Sequence, residues 1–228
     1  MCLINNTFKF VFVHIPKCGG TSVCHALSPL TTLFDLEIGG TEFGEQYQKL
    51  CSERIRIWKH SNSRDIRGQL GVEKWMRYFT FAFVRNPYTR AYSTYKYLKR
   101  HKKEHPEMAS YESFDDYVGS DLWLKNGPNN MLLPQTEWVT LAGPGRRLLV
   151  NHLARMENMR DELDLILRSI GMDSFIPKIV IERKNASTTL GEKIQVKISS
   201  IKSIKERYAH DFELIGYDPD QIPFEVID

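Results

Sequence analysis

Lys17, Gly19, Gly20, Thr21 and Ser22 stand together in the stretch HIPKCGGTS, directly after the apolar run FKFVFVHI. Two adjacent glycines let a backbone come close to a ligand, and the amides opening a following helix aim partial positive charge at an anion. Thr21 and Ser22 add hydroxyl donors, and Lys17 adds a full charge. This is chemistry for holding a phosphorylated group. The lysine is out of place for a nucleotide triphosphatase, whose G-x-x-x-x-G-K-[ST] loop puts it directly after the last glycine. A bare G-G-T-S would read as a glycine turn with an ordinary helix cap; Lys17 and the strand before it turn the reading toward a site.

Two further positions carry chemistry. A triphosphate site needs Mg²⁺, held partly by an Asp at the end of a neighbouring apolar strand. Here the strand YFTFAFV ends in Arg85. A cation in that place suggests a second phosphate bound directly, without metal. His60 is the candidate proton acceptor, because it closes RIRIWKH, read as a second strand that would end beside the first loop. Its ordinary pKa of about 6.5 suits removal of a hydroxyl proton near neutral pH. Of the other histidines, His14 reads as a satisfied core residue of an apolar strand. His101 and His105 read as solvated surface, and no motif recommends His152 or His210.

The elements that must position these groups alternate between strand and helix. FKFVFVHI and RYFTFAFV are nearly continuously apolar, as expected of strands covered on both faces. TSVCHALS reads as a short helix stopped by Pro29, and Ser61 to Ser63 offer caps for RDIRGQL. Asn86 and Pro87 can open a long helix through RNPYTRAYSTYKYLKRHKK. Leu163, Ile166, Leu167 and Ile170 share a helical face before Gly171. Ile198, Ile201, Ile204, Tyr208 and Phe212 do so before Gly216. Such alternation implies an α/β fold with a central parallel sheet flanked by helices in three layers, its site at the C-terminal ends of the strands.

Composition bounds the class. With 228 residues and 42% hydrophobic content the chain is long enough for a full core and reads as one domain over residues 1–228. A net charge of +3 is too mild to indicate nucleic acid. Cys2, Cys18, Cys24 and Cys51 form no C-x-x-C pair and suit a reducing compartment. No stretch is apolar over the roughly 18 residues of a membrane span.

FVHIPKCGGTS resembles the 5′-phosphosulfate loop of the PAPS-dependent carbohydrate-type sulfotransferases, the heparan, chondroitin and dermatan kind. FAFVRNPYTRAYSTY resembles their 3′-phosphate segment. WKHSNSRDIR, PQTEWV, LARMENM, RKNAS and RYAHDFELIGY follow in that family's order, with the weakest match between Leu30 and Arg54. The resemblance implies a P-loop-like fold and PAPS as donor, with no metal. It assigns Lys17, Gly19, Gly20, Thr21 and Ser22 to the 5′-phosphosulfate, Arg85 and Ser93 to the 3′-phosphate, and Arg183, Lys184, Asn185 and Ser187 to a loop closing over the nucleotide. It makes His60 the base and Lys17 the group that stabilises charge on the bridging oxygen. Cys18 departs from the pattern, which commonly has Thr there.

The acceptor is less defined. Asp35, Glu37, Glu42, Glu45 and Glu53, against Lys49 alone, could wall a site for a neutral or cationic small molecule, or form a solvated loop. Lys96, Lys99, Arg100, Lys102 and Lys103 could grip a sulfated polysaccharide, or be an exposed helix end. Without a Golgi-type anchor, the chain reads as a free-standing cytoplasmic enzyme that sulfates a small metabolite or natural product. A carbohydrate hydroxyl is the alternative. A P-loop kinase would need a metal-holding carboxylate, and a non-catalytic binding module would not need His60.

Overall fold

The computed structural model describes residues 2–127, 130–143, 145–181 and 193–228. Along the chain the elements are β1 (Cys2–Asn5), β2 (Phe10–Val13), α1 (Gly20–Leu27), β3 (Leu36–Ile38), α2 (Glu42–Ile55), α3 (Ser63–Leu70), α4 (Val72–Arg77) and β4 (Phe79–Val84). There follow α5 (Pro87–Arg100), α6 (Phe114–Val118), α7 (Asp121–Leu124), α8 (Thr136–Val139), β5 (His152–Arg155), α9 (Met159–Ser169), β6 (Gln195–Lys197), α10 (Ile198–Arg207), α11 (Ala209–Ile215) and β7 (Glu225–Ile227). They form two compact units, Met1–Val84 with Glu137–Lys184, and Arg85–Thr136 with Asn185–Asp228.

Among its described residues the first unit holds a five-stranded sheet in the order β3-β1-β2-β4-β5. β2, β4 and β5 run parallel, with Phe12 opposite Phe81 and Ala82 opposite Leu153. These strands are the expected parallel centre, and β2 and most of β4 are fully buried. The sheet as a whole is mixed, because β1 and β3 are antiparallel additions on the β2 side. The cause of the first addition lies in Asn5, whose side chain accepts the Phe8 N–H at 2.6 Å, and in Lys9, which takes a left-handed φ of 55°. A tight hairpin therefore splits the apolar run, and β1 pairs with β2 in place of one longer strand.

RIRIWKH is not a strand. Its first two residues end α2, a 14-residue helix capped by Thr41, whose side chain accepts from the Gly44 amide. Glu42 and Glu45 favour the first turn of that helix and Arg54 the last. Arg56 stops it at φ 52°, and Ile57 is buried. The alternation of Arg and Ile imitates a strand over only four residues, too few to outweigh a capped helix. The remaining expectations for the first unit hold: α1 ends before Pro29, Asn62 caps α3, and α9 buries Leu163, Ile166 and Leu167.

In the second unit, Asn86 caps α5 by accepting the Tyr88 and Thr89 amides, and Pro87 occupies its first turn. Ile201, Ile204, Tyr208 and Phe212 are buried, and Gly216 ends α11 at φ 75°. Asp211 is fully buried and accepts the backbone amides of Gln135 at 2.8 Å and Thr136 at 2.9 Å. Arg90, also buried, donates to the carbonyls of Leu133 and Met131, both at 2.9 Å. These buried polar groups tie the segment before α8 to α5 and α11. Among the described residues, no helix is long and apolar enough to cross a membrane.

Candidate active site

The loop between β2 and α1 turns by means of two left-handed residues, Lys17 at φ 67° and Gly19 at φ 75°. A left-handed lysine costs energy that the surrounding structure must supply, and such residues concentrate at ligand sites. Gly19 is the N-cap of α1, and no side chain caps that end. The Ser22 and Val23 amides bond back to the Gly19 carbonyl at 3.0 and 3.2 Å, which closes the first turn. Gly20 is required sterically, and Gly19 by its left-handed φ. A Cβ on Gly20 would fall 1.9 Å from Nε2 of His14, and one on Gly19 would fall 2.6 Å from Cε of Met159. Met156 stands at 3.1 Å from the same point, so LARMENM serves as the floor beneath the loop.

Lys17 and Thr21 are half-buried, whereas Ser22 and Cys18 are buried. The Cys18 thiol faces the backbone, 3.7 Å from the Pro16 carbonyl. Its departure from the family pattern therefore falls on a side chain turned inward.

His60 sits in a turn that starts at Trp58. The Trp58 amide donates to Ser61 Oγ, and the Ser61 amide to the Trp58 carbonyl, each at 3.0 Å. Trp138 Nε1 donates to the His60 carbonyl at 3.2 Å, and the Trp58 ring stands edge-on to the imidazole with centroids 5.5 Å apart. His60 Nδ1 lies 3.2 Å from the His14 carbonyl oxygen. A carbonyl can only accept, so Nδ1 carries the proton and Nε2 keeps its lone pair. Burial pushes the His60 pKa down to about 3, and the charges of Lys59 and Lys17 act in the same direction. His60 is thus a neutral imidazole with its tautomer set, within electrostatic reach of the loop lysine.

From the sequence alone His14 reads as core. It is buried, and burial likewise holds its pKa well below the usual value. Yet it lies just past β2, with its ring 4.5 Å from that of His60 and its Nε2 against Gly20. It joins the loop to the candidate base, a role that follows from a contact 46 residues away in sequence.

The acidic segment beside this site is largely occupied by structural work. Asp35 accepts the amides of Asn6 at 2.6 Å, Thr7 at 3.0 Å and Thr32 at 2.8 Å. Buried Glu37 accepts from Thr31 and Thr41. Glu45 accepts the Gly40 amide and pairs with Lys59 at 3.3 Å. Three of the five carboxylates are thereby engaged in holding backbone and side chains of their own unit.

In the second unit, Arg85 precedes α5. Gln135 pins its backbone in both directions, Oε1 accepting the Arg85 N–H and Nε2 donating to the Arg85 carbonyl, each at 2.8 Å. Arg85 Nε donates to Thr89 Oγ1 at 3.0 Å. Ser93 is buried on α5. Gln135 and Asp211, unassigned from the sequence, are thus the supports of Arg85. Their signal was the PQTEWV and RYAHDFELIGY motifs, which say that the residues matter without saying what they touch. Arg183, Lys184, Asn185 and Ser187 lie outside the described residues.

The first unit thus brings together a glycine loop with a lysine ahead of the glycines, an uncapped helix behind it and a neutral histidine. The sequence profile of the sulfotransferase family matches residues 1–218. The chain belongs to the sulfotransferase family. The family includes carbohydrate sulfotransferases and implies PAPS as donor, so this sulfotransferase is a PAPS-dependent enzyme. No curated protein matches the chain, and no solved structure does.

Proposed function

We propose that the enzyme moves the sulfuryl group of PAPS to a hydroxyl group of a small metabolite, with His60 as general base and without metal. The observation that carries this reading is the fixed tautomer of His60: its Nδ1 proton is engaged by the His14 carbonyl, leaving Nε2 able to accept a hydroxyl proton. The negative charge of a bound donor would oppose the effect of Lys17 and Lys59 and raise the basicity of Nε2 during turnover.

In this proposal Lys17, Gly19, Gly20, Thr21 and Ser22 hold the 5′-phosphosulfate. The left-handed turn and the uncapped start of α1 support it, since both are suited to an anion. Lys17 stabilises the charge that develops on the bridging oxygen as the S–O bond breaks, and the acceptor oxygen enters in line as its proton passes to Nε2. Arg85 and Ser93 take the 3′-phosphate; the support is the fixed backbone of Arg85, which lowers the cost of presenting a guanidinium. The apolar ring of Trp58 beside His60 favours a small hydroxylated compound with an apolar face, and a carbohydrate hydroxyl is the alternative.

The test is calorimetry with adenosine 3′,5′-bisphosphate in EDTA, followed by mass analysis of candidate alcohols and sugars incubated with PAPS. Binding in EDTA and a sulfate-sized mass gain on a small alcohol are expected. An absolute Mg²⁺ requirement would overturn the metal-free reading. Gain on carbohydrates alone would overturn the small-metabolite reading.

A further inference from the structure

Helix α2 buries one side and leaves an apolar one bare. Gly44 and Cys51 are buried, and Gln48 and Ile55 are half-buried. Phe43, Tyr47 and Leu50 are 59%, 44% and 50% exposed. Single exposed apolar residues are ordinary on a protein surface. These three and the exposed Arg54 instead follow one another at alternating intervals of four and three residues, which sets them in one seam along the helix. The rings of Phe43 and Tyr47 already lie together, with centroids 4.4 Å apart. The seam stands apart from the His60 turn. Lys59 meets α2 on another flank, through Gln48 Oε1, which accepts the Lys59 N–H at 3.4 Å, and through Glu45 at 3.3 Å. At 3.6 residues per turn, the seam lies roughly 130–170° around the helix from that flank.

The order of residue types along the seam selects its occupant. Intervals of four and three are the a and d repeat by which one helix packs on another. A two-fold axis crossing α2 between Gln48 and Lys49 sets two copies antiparallel, with Tyr47 against Leu50 of the second copy and Phe43 against its Arg54. The two apolar layers then lie at the centre, and a guanidinium meets an aromatic ring at each end. Charge agrees with this direction. The first turn of α2 carries Glu42 and Glu45 and the last turn Arg54, so antiparallel copies bring base to acid and oppose the helix dipoles. Parallel copies would bring Arg54 to Arg54. Among the described residues, neither Glu42 nor Arg54 forms an ion pair within its own chain. A seam of about 17 by 10 Å covers much less than the roughly 800 Å² per partner of a stable interface, which makes the pair weak.

We propose that α2 is the contact face of a weak symmetric homodimer, in which two copies of the helix pair antiparallel through Phe43, Tyr47, Leu50 and Arg54. The pairing rests on the exposure and order of these residues and does not depend on the donor or acceptor assignment.

The experiment is sedimentation velocity on the whole chain between about 1 and 300 μM, a range suited to an interface this small. A monomer–dimer equilibrium that moves with concentration is expected. Tyr47→Glu and Leu50→Lys should each raise its dissociation constant about tenfold or more, because each sets a lone charge in a central layer. An equimolar mixture of the two variants should associate better than either alone, since the introduced carboxylate then faces the introduced ammonium across the axis. Both side chains are exposed, so thermal unfolding should match that of wild type; the milder Tyr47→Gln should weaken the dimer in the same direction. The proposal is overturned if the chain stays monomeric throughout the range, if both charge variants dimerise as wild type does, or if the mixture associates no better than its parts. A monomer that binds phosphatidylcholine vesicles would also overturn it and give the seam to a membrane surface.

Discussion

Replacing His60 with asparagine should flatten the acid side of the stability profile. In the folded protein burial lowers the His60 pKa to about 3, whereas an unfolded histidine titrates near 6.5. Between these values the unfolded chain binds a proton that the folded chain refuses. The stability contributed by neutral His60 is therefore complete above about pH 6.5 and is lost as pH falls toward 3, at up to about 1.4 kcal/mol per pH unit. From pH 8 to pH 5 the loss is about 2 kcal/mol for one such group, an upper bound because His60 is only half-buried. His14 shifts in the same direction but is present in both proteins, so the difference between their profiles reports chiefly on His60. The assay is urea unfolding of wild type and His60→Asn at half-unit steps between pH 8 and pH 5. The variant should lose less stability than wild type by up to that amount. Its turnover should fall on the order of 10²–10⁴-fold, with bisphosphate affinity within a few-fold of wild type. Parallel stability profiles would refute the reasoning, for His60 would then titrate in the folded protein as it does in the unfolded one.

Arg85→Ala should weaken bisphosphate binding by roughly 2–5 kcal/mol in calorimetry, with little change in melting temperature; unchanged affinity would make Arg85 a structural residue. Gly20→Ala places a methyl group where the His14 ring stands, and turnover should drop on the order of 10²-fold as that ring is displaced from His60. Near-normal turnover would show that the loop and His14 adjust independently. Asp211→Ala leaves the Gln135 and Thr136 amides without their acceptor and should cost roughly 3 kcal/mol in chemical denaturation. A loss below about 1 kcal/mol would mean that water replaces the carboxylate.

Several features were determined by the sequence alone because their causes are local. The strand–loop–helix around Lys17 needed only an apolar run, two glycines and a helix former, and β4 with α5 needed only an apolar run followed by Asn86 and Pro87. The order of motifs along the chain was sufficient for the family. Tertiary structure decided the rest. RIRIWKH became a helix end and a turn, since a cap at Thr41 and the antiparallel pairing of β1 with β2 and β3 outweigh a four-residue alternation. His60 stood out in the sequence by position alone, whereas its neutrality and tautomer come from burial and from the carbonyl of a histidine 46 positions earlier. The supports of Arg85 are likewise remote, with Gln135 50 residues on and Asp211 a further 76. Backbone conformation follows from neighbours along the chain, whereas proton affinity follows from the charges, dipoles and solvent around an atom in space, and only the folded chain brings those together.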